Sequence, residues 1–525
     1  MVAGRGLRAA DRRRRGRGAP RTLAARRRRR DGARVSTARA NATTDVPFEV
    51  AVVGAGVVGA AIARELARHR LRVLLLETGA DVGAGTSKAN TAILHTGFDA
   101  KPGTLEAGLV RRGHALLVRH AAEAGIPVER LGALLVAWDD EQRATLPAIT
   151  ERARRNGYTA IREVAAAELY AREPALAPGA LAALEIPDES IVCPFTTPLA
   201  FATEAVVNGV TLMLEAPLQA VTRTPPAADA AGARDADAAG VYVLLTARGH
   251  FRARYVVNAA GLGADDVDRL FGHTRFTVTA RRGELVVFDK LARPLLRHVL
   301  LPVPTARTKG VLVSPTVFGN LVLGPTADDV SDKDATDSTA GGIHGLLAQG
   351  RRLVPALADE EVTAVYVGLR AATEHADYQI RFHPEERYVC VGGIRSTGLS
   401  ASMAIAEHVC DGLRDAGLRL EPRLDFRAVR MPNIGEAFGR PYERSELIAA
   451  DPDYGRIVCH CERVTRREIL DAAGAAIPAR NLDALRRRTR ATLGRCQGFY
   501  CTAAVTRLLA SASGREIAEL LGVPP

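Results

Sequence analysis

The chain has 525 residues, 47% of them apolar, and a formal net charge of +12; that length allows more than one domain and a large core, and the composition is that of a globular protein. Residues 1–45 alone hold 15 arginines, no lysine and three acids, which leaves 56 basic and 56 acidic side chains on the other 480 residues. The body behind the tail is therefore neutral, which speaks against nucleic acid as a partner.

Residues 1–46 read as a disordered basic tail, because Arg12 to Arg15 and Arg26 to Arg30 come with few large apolar side chains and cannot bury a core. A transit peptide and a stretch upstream of the true start are the alternatives; the latter draws on the excess of 66 arginines over 5 lysines, the mark of a GC-rich genome. No apolar run follows the charges as in a signal peptide, and no stretch reaches the ~18 apolar residues that span a bilayer. A cytoplasmic protein is expected, with contact at the inner face of the membrane left open.

Glu49 to Val53 is a valine-rich run ending in Gly54-Ala55-Gly56-Val57-Val58-Gly59, and it reads as a buried parallel strand. Apolar residues at helical spacing follow through Leu66 and Ala67, and a second apolar run, Leu71 to Leu76, stops at Glu77. Strand, glycine turn, helix and strand with an acid at the second tip predict a dinucleotide-binding unit. Gly54 makes the tight turn, Gly56 admits a pyrophosphate to the backbone, and Gly59 lets helix and strand pack closely. The helix start offers N–H groups to phosphate, and Glu77 accepts from a ribose hydroxyl. For the glycines alone, a small-residue turn of any α/β protein is the alternative.

Thr86-Ser87-Lys88-Ala89-Asn90 runs on to His95-Thr96-Gly97. Polar residues at the carboxyl edge of a sheet are placed to touch a cofactor, which singles out Thr86, Ser87 and Asn90. Helices are predicted at about 104–124, 141–156, 165–171 and 198–208, and strands at 210–222, 241–247 and 255–261. The loop 224–240 between two of these strands carries no evident chemistry. Small residues Ala260 and Gly261 at the tip of the last strand let a ring or phosphate approach, or simply make a turn. Residues 283–325 alternate as an antiparallel sheet, expected to form a substrate-facing layer. Tyr388 to Gly393 is again a buried strand, leading through Gly398-Leu399-Ser400 into a helix ending near Ala416. This second strand–glycine–helix crossing brings Gly393, Gly398, Leu399 and Ser400 to phosphate or flavin. The polar, proline-containing residues 421–455 read as a linker. Beyond it, 456–525 reads as a small helical unit in which Thr465-Arg-Arg-Glu468 forms a capping box.

Seven cysteines do not make a disulfide scaffold. Cys193, Cys390 and Cys410 lie in apolar sequence as small core residues. Cys459-x-Cys461 and Cys496-x4-Cys501 can together supply four thiolates to one metal centre. A one-residue gap is short for a structural zinc knuckle, while a [2Fe–2S] cluster spreads its ligands over two irons. Zinc and free thiols stay open as alternatives. Arg486, Arg487, Arg488, Arg490 and Arg495 stand beside the second pair and could offset cluster charge or simply be a solvated helix face.

On the glycine fingerprint with Glu77, the Ser87 to Gly97 stretch, Asn258 to Gly261, Gly368-Leu369-Arg370 and Gly393 to Ser400, residues 48–420 resemble the D-amino-acid-oxidase-like superfamily of FAD-dependent oxidoreductases. Within it they look most like glycerol-3-phosphate dehydrogenases and L-2-hydroxyglutarate oxidases. Residues 457–510 resemble the bacterioferritin-associated-ferredoxin-type [2Fe–2S] domain. The resemblance implies an α/β fold: a Rossmann-type FAD-binding domain interleaved with an antiparallel-sheet substrate domain over 47–420, and a small α-helical [2Fe–2S] domain. It implies FAD, a small anionic hydroxy substrate oxidised to a ketone, His95 as the base or a flavin neighbour, and Arg370 as the grip on carboxylate or phosphate. A turn-capping histidine and a sheet-edge ion pair are the bland alternatives for these two residues. The cluster would pass electrons to a quinone or a partner subunit. Two further readings are an oxygen-using oxidase with a structural zinc tail and a non-catalytic electron-transfer subunit. Thr397, where relatives often have proline, and Phe499-Tyr500 depart from the family pattern without removing a ligand.

Overall fold

The computed structural model describes residues 46–224, 240–304 and 310–521; the basic tail and most of the 224–240 loop lie outside them. The first strand, Phe48–Val53, is buried almost throughout because parallel neighbours flank it, Val73–Leu76 on one side and Gly249–Asn258 on the other. Such a strand needs no polar face, which is why the sequence reads as continuous valine. Parallel pairing continues outward to Thr211–Met213 on one flank and Tyr388–Gly392 on the other. Antiparallel strands, Leu218–Thr224 with Val241–Thr246 and Gln379–His383, complete an eight-stranded sheet.

Helices Val57–Ala67, Leu105–Ala124, Thr196–Val207 and Gly398–Asp415 pack together as a layer against this sheet. Small residues set how closely they pack. A Cβ on Gly113 would stand 2.2 Å from the Ser400 carbonyl oxygen, so the second and fourth of these helices touch backbone to backbone there.

A nine-stranded sheet forms the second layer. Its spine is the antiparallel pair Thr279–Phe288 and Val362–Ala372, and it extends through Leu321–Gly324, Leu312–Pro315 and Val299–Pro302, as the alternation in 283–325 predicts. The sheet also recruits Ala133–Ala137, Ala182–Ile186 and Arg162–Ala165 from far earlier in the chain. The expected scattered cysteines are core residues: Cys193, Cys390 and Cys410 are all buried.

The residues from 457 on build their own core, with Val464, Ile469, Leu485, Val505 and Leu509 among its members. A short antiparallel pair, Ile457–Cys459 with Val464–Thr465, precedes helices Arg466–Ala473, Leu482–Thr489, Thr502–Ser513 and Ile517–Leu521. The capping box is formed: Thr465 Oγ1 accepts from the Glu468 N–H, and Glu468 Oε2 accepts from that of Thr465 at 2.8 Å. The stretch expected as a linker is instead a packed strap. Its Met431 N–H donates to the Ala124 carbonyl and its Glu436 N–H to that of Val317. Helix Ser445–Ala450 follows a fully buried Arg440, whose Nη2 reaches Glu468 at 3.3 Å.

The arginines beside the second cysteine pair also face differently from the sequence expectation. Arg487 and Arg488 are buried and converge on Asp81, with N–O distances of 2.5 and 2.7 Å. Arg490 pairs with Glu462 at 2.9 Å and covers the Phe318 ring at 4.1 Å, and Arg495 pairs with Glu361. Three of these four (Arg487, Arg488 and Arg495) reach carboxylates outside the cluster unit, and Arg490 reaches the Phe318 ring, so the run clamps that unit onto the loop after the second strand and onto the second sheet. Charge in a sequence does not reveal a partner about 400 residues away, which is why the run reads as cluster compensation or as a solvated helix face.

Candidate active site

Gly54, at the tip of the first strand, has φ +100°, and a Cβ there would meet the Ala259 carbonyl oxygen at 2.5 Å. A Cβ on Gly59 would stand 1.9 Å from the Gly54 oxygen, so only glycine lets helix and strand approach this closely. Gly56 is the helix N-cap and has no side chain to close it. The Val57 N–H is met instead from across the loop by Ser87 Oγ at 2.9 Å. At the second strand tip, Glu77 accepts from the N–H groups of Ala55 and Gly79, each at 2.7 Å. Burial is the main effect on its carboxyl and raises it above the ordinary range, with those two hydrogen bonds working against.

A cavity of about 490 Å³ opens between the two layers. Of the residues singled out in the sequence, Gly56, Thr86, Ser87, Asn90, His95, Gly261, Arg370, Gly398 and Leu399 line it. Gly54, Gly59, Glu77, Ala260, Gly393 and Ser400 stand behind that wall or beside it. Thr86 Oγ1 donates to the Leu369 carbonyl at 2.8 Å, tying the polar loop to the strand that carries Arg370. A Cβ on Gly368 would lie 2.0 Å from the Ala89 oxygen, so loop and strand meet without side chains between them. Ser400 Oγ accepts from the His95 N–H at 2.8 Å. Thr397, in place of a proline, uses its hydroxyl to donate to Glu106 at 2.8 Å.

Arg370 is directly opposite Arg281 in the antiparallel register, so both guanidinium groups leave the same face of the sheet, and both line the cavity. Arg281 holds Asp329 bidentately at 2.6 and 3.1 Å. Arg370 folds over Gly283, where a Cβ would come within 2.9 Å of its terminal nitrogens, and Nη1 donates to the Thr326 carbonyl at 3.3 Å. Burial first, then the Arg281 charge, lower its pKa from the usual arginine value. Like charges facing each other across a ladder are unfavourable; Asp329 offsets the charge of Arg281, whereas no carboxylate among the described residues pairs with Arg370. Arg281 carries no signal in the sequence, where it is one of two adjacent arginines in a strand.

A second residue missed from the sequence is Glu189, fully buried between strands Ala182–Ile186 and Ser190–Val192. Its Oε1 accepts from the Thr96 N–H at 2.7 Å and from the Thr96 hydroxyl at 3.0 Å, and its Oε2 lies 3.0 Å from His95 Nδ1.

The four C-terminal cysteines come together in two pairs: the thiol of Cys461 faces that of Cys496, and Cys459 faces Cys501. Around one zinc, Zn–S bonds of about 2.3 Å place the sulfurs about 3.8 Å apart. Among the described residues, the side chains that bring three ligand atoms within 4.8 Å of one another are His273, His383 and Glu386, none of which lines the cavity. No three cysteine sulfurs crowd in this way. Two pairs suit two irons better than one tetrahedral ion. The Phe499 N–H donates to the Cys496 carbonyl at 2.9 Å, and this turn brings the backbone of residues 498–500 close enough to the Cys496 thiol to lower its pKa. The side chains of Phe499 and Tyr500 turn outward, 85% and 79% exposed.

Residues 49–412 match the family model described as FAD dependent oxidoreductase, and residues 457–511 match that of the BFD-like [2Fe-2S] binding domain. The chain belongs to the FAD-dependent oxidoreductase family. FAD and a [2Fe–2S] cluster are its cofactors. This oxidoreductase is 35% identical to the glycerol 3-phosphate dehydrogenase of Caloramator mitchellensis, over 90% of this chain and 96% of that protein. It is 29% identical to human mitochondrial L-2-hydroxyglutarate dehydrogenase, over 53% of this chain and 61% of that protein. Among solved structures it is similar to the dithionite-reduced L-alpha-glycerophosphate oxidase of Mycoplasma pneumoniae with FAD bound. The TM-score is 0.67, with 27% identity over 74% of this chain and all of that one. No helix among the described residues is long and apolar enough to cross a membrane.

Proposed function

We propose that this enzyme oxidises the secondary alcohol of glycerol 3-phosphate to dihydroxyacetone phosphate and sends the electrons through its cluster to a quinone or a partner subunit. The observation that carries the substrate is Arg370, a cavity-lining guanidinium with no carboxylate partner among the described residues, beside the Asp329-held Arg281, suited to an anionic group such as phosphate. The similarity to the Caloramator enzyme along nearly its whole length supports the same choice. The cavity also fits a flavin dinucleotide: a glycine-capped helix start that only Ser87 Oγ approaches from across the loop, a glycine-and-alanine floor at Gly56, Ala259 and Gly261, and an acid at the second strand tip. Gly54, Gly56, Gly59, Glu77, Thr86, Ser87, Asn90, Ala260, Gly261, Gly393, Gly398, Leu399 and Ser400 would hold FAD, and Cys459, Cys461, Cys496 and Cys501 the cluster.

Bound FAD supplies the hydride acceptor, and the cluster supplies one-electron outflow. The chain's own residues do the rest. Arg370, with its planar fork, would grip the phosphate and so orient the alcohol carbon within the cavity, with Arg281 adding its field from the opposite strand. His95 takes the hydroxyl proton as the C–H hydrogen leaves with its electron pair, which yields the ketone.

The test is anaerobic stopped-flow flavin reduction with glycerol 3-phosphate and, separately, L-2-hydroxyglutarate. Glycerol 3-phosphate should reduce the wild type and 2-hydroxyglutarate should not. Arg370→Ala should bind about tenfold to a hundredfold more weakly, the ~1.5–3 kcal/mol of a charge-assisted pair. Arg370→Lys should be impaired as well, since it keeps the charge and loses the fork. Reduction by 2-hydroxyglutarate alone, or an Arg370→Ala variant equal to wild type, refutes the assignment. Cys459→Ser should stop transfer to the acceptor and leave flavin reduction intact.

A further inference from the structure

We infer that Glu189 is a positioning residue for the alcohol oxidation: it fixes the tautomer of His95 so that Nε2 is the proton acceptor. The inference rests on the reading of His95 as the base and adds the group that makes it one.

The contact is built by strand register. Strand Ile93–Leu94 runs antiparallel to Ser190–Val192, with Ile93 opposite Ile191 and Leu94 opposite Ser190. One step further along the same ladder sets His95 opposite Glu189. The Gly132 N–H donates to the Glu189 carbonyl at 2.9 Å and the Glu189 N–H to that of Ile186, which holds the backbone of the turn. The carboxylate is 0% exposed, and a buried carboxylate must have its oxygens met by donors. Oε1 is met by the N–H and hydroxyl of Thr96. Oε2 is met by His95 Nδ1 at 3.0 Å. A carboxylate oxygen accepts, so Nδ1 carries the hydrogen and Nε2 keeps its lone pair. Ser400 Oγ holds the His95 backbone N–H and the same carboxylate holds Thr96, so the backbone that carries the ring is fixed beside Glu189. His95 keeps 21% of its side chain exposed and lines the cavity, so the ring is reachable for substrate.

The arrangement also answers what happens after proton uptake. When Nε2 takes the alcohol proton, the imidazolium carries a charge within 3.0 Å of a carboxylate that water does not screen. Among the described residues, the other charged groups that line this cavity are Asp99, Arg281, Arg370 and Arg395. Tyr158 and Asp188 adjoin Glu189 on its far side. Three of these described groups are cationic; Asp329 and Glu106 offset Arg281 and Arg395 in part, and Arg370 is left to oppose a positive histidine. Glu189 is the carboxylate in hydrogen-bond contact with the ring, so its charge offsets theirs where the proton arrives.

The experiment uses FAD-loaded, cluster-loaded enzyme and glycerol 3-phosphate, reading flavin reduction under anaerobic conditions from pH 5.5 to 9. Glu189→Gln keeps size and an acceptor oxygen but loses the charge. Its limiting reduction rate should fall about tenfold to a hundredfold, with the half-saturating substrate concentration within about twofold of wild type. The limb on which rate rises as His95 deprotonates should move to lower pH, because the stabilising anion is gone. Glu189→Asp keeps the charge at a longer reach; it should keep the limb in place and recover part of the rate. FAD content should equal wild type in both. A Glu189→Gln variant with wild-type rate and limb, or one whose losses all trace to missing FAD, overturns the inference. Should Glu189→Gln fail to fold, a Glu189→Asp limb displaced from wild type overturns it equally. His95→Gln separates the two readings: if it reduces as fast as wild type, the base assignment itself falls, and if it is slow while Glu189→Gln is normal, only the positioning role does.

Discussion

His120 is a histidine whose surroundings forbid a proton at neutral pH. It is 4% exposed, Arg64 Nη2 donates to its Nδ1 at 3.3 Å, and its ring stacks on Phe201 at 5.5 Å. Glu204, 3.9 Å from Nε2, is already engaged by Arg64. Burial, then the charges of Arg64 and Arg68, push its pKa down to about 3. The unfolded chain takes this proton near pH 6.5, so the folded state loses stability as pH falls below that value, by about 1.4 kcal/mol per unit, down to the folded pKa. Thermal unfolding should therefore show wild type losing up to about 2 kcal/mol between pH 6.5 and 5, and His120→Gln losing less. The same scale marks the limits of sequence reading. Arg370 and the four cysteines are legible because a motif or a spacing surrounds them. Glu189 is not, since one acid in the turn Pro187-Asp188-Glu189-Ser190 has no periodic signal. Its role arises only when antiparallel register brings it to a histidine 94 residues away.

The strand–glycine–helix element illustrates the opposite case. Continuous apolar sequence, three glycines and a terminal acid all require one local geometry, so sequence and structure agree nearly residue for residue. Gly59→Ala tests it: the added Cβ, 1.9 Å from the Gly54 oxygen, must push the helix off the strand. Overpacking of this kind costs about 1–3 kcal/mol, or about fivefold to a hundredfold in FAD affinity. Fluorescence titration of apoprotein with FAD measures it, and unchanged affinity would contradict the packing described. Residues 421–455 were harder, because prolines and polar side chains give no period. Their order comes from tertiary contacts, above all the buried Arg440 between Glu436 and Glu468. A buried arginine looks in sequence like any surface arginine.

At the scale of the whole molecule, docking of the cluster unit turns on Asp81. Burial alone would raise its carboxyl, yet the hydrogen bonds and charges of Arg488 and Arg487 outweigh this and hold it below the usual range. A depressed carboxyl contributes stability above its unfolded value, near pH 4, and loses it as pH falls through the folded one. Docking should therefore hold through neutral and mildly acidic pH and fail only below about pH 4. Asp81→Asn leaves the buried Arg488 without its counter-charge and Arg487 with Asp483 alone, and breaking a buried pair in this way typically costs about 3–5 kcal/mol. Hydrogen exchange should rise in the strap and in helix Leu482–Thr489, and transfer from flavin to acceptor should slow while substrate still reduces the flavin at the wild-type rate. Wild-type exchange in both segments would show that other contacts hold the unit.

The order of strands in the flavin sheet has a consequence for how the protein is made. Phe48–Val53 lies at its centre, while Tyr388–Gly392, which leads into Ile394 and Gly398 of the cavity wall, comes some 340 residues later. At about 5–20 residues per second, tens of seconds of translation separate the first strand from the last. The nascent chain carries a half-built sheet for all that time. The four cysteines proposed to hold the cluster fall later still, in a span of 43 residues from Cys459 to Cys501, in a unit with its own core. Cofactor loading thus has a built-in sequence, in which the flavin pocket can close before the last two thiols leave the ribosome.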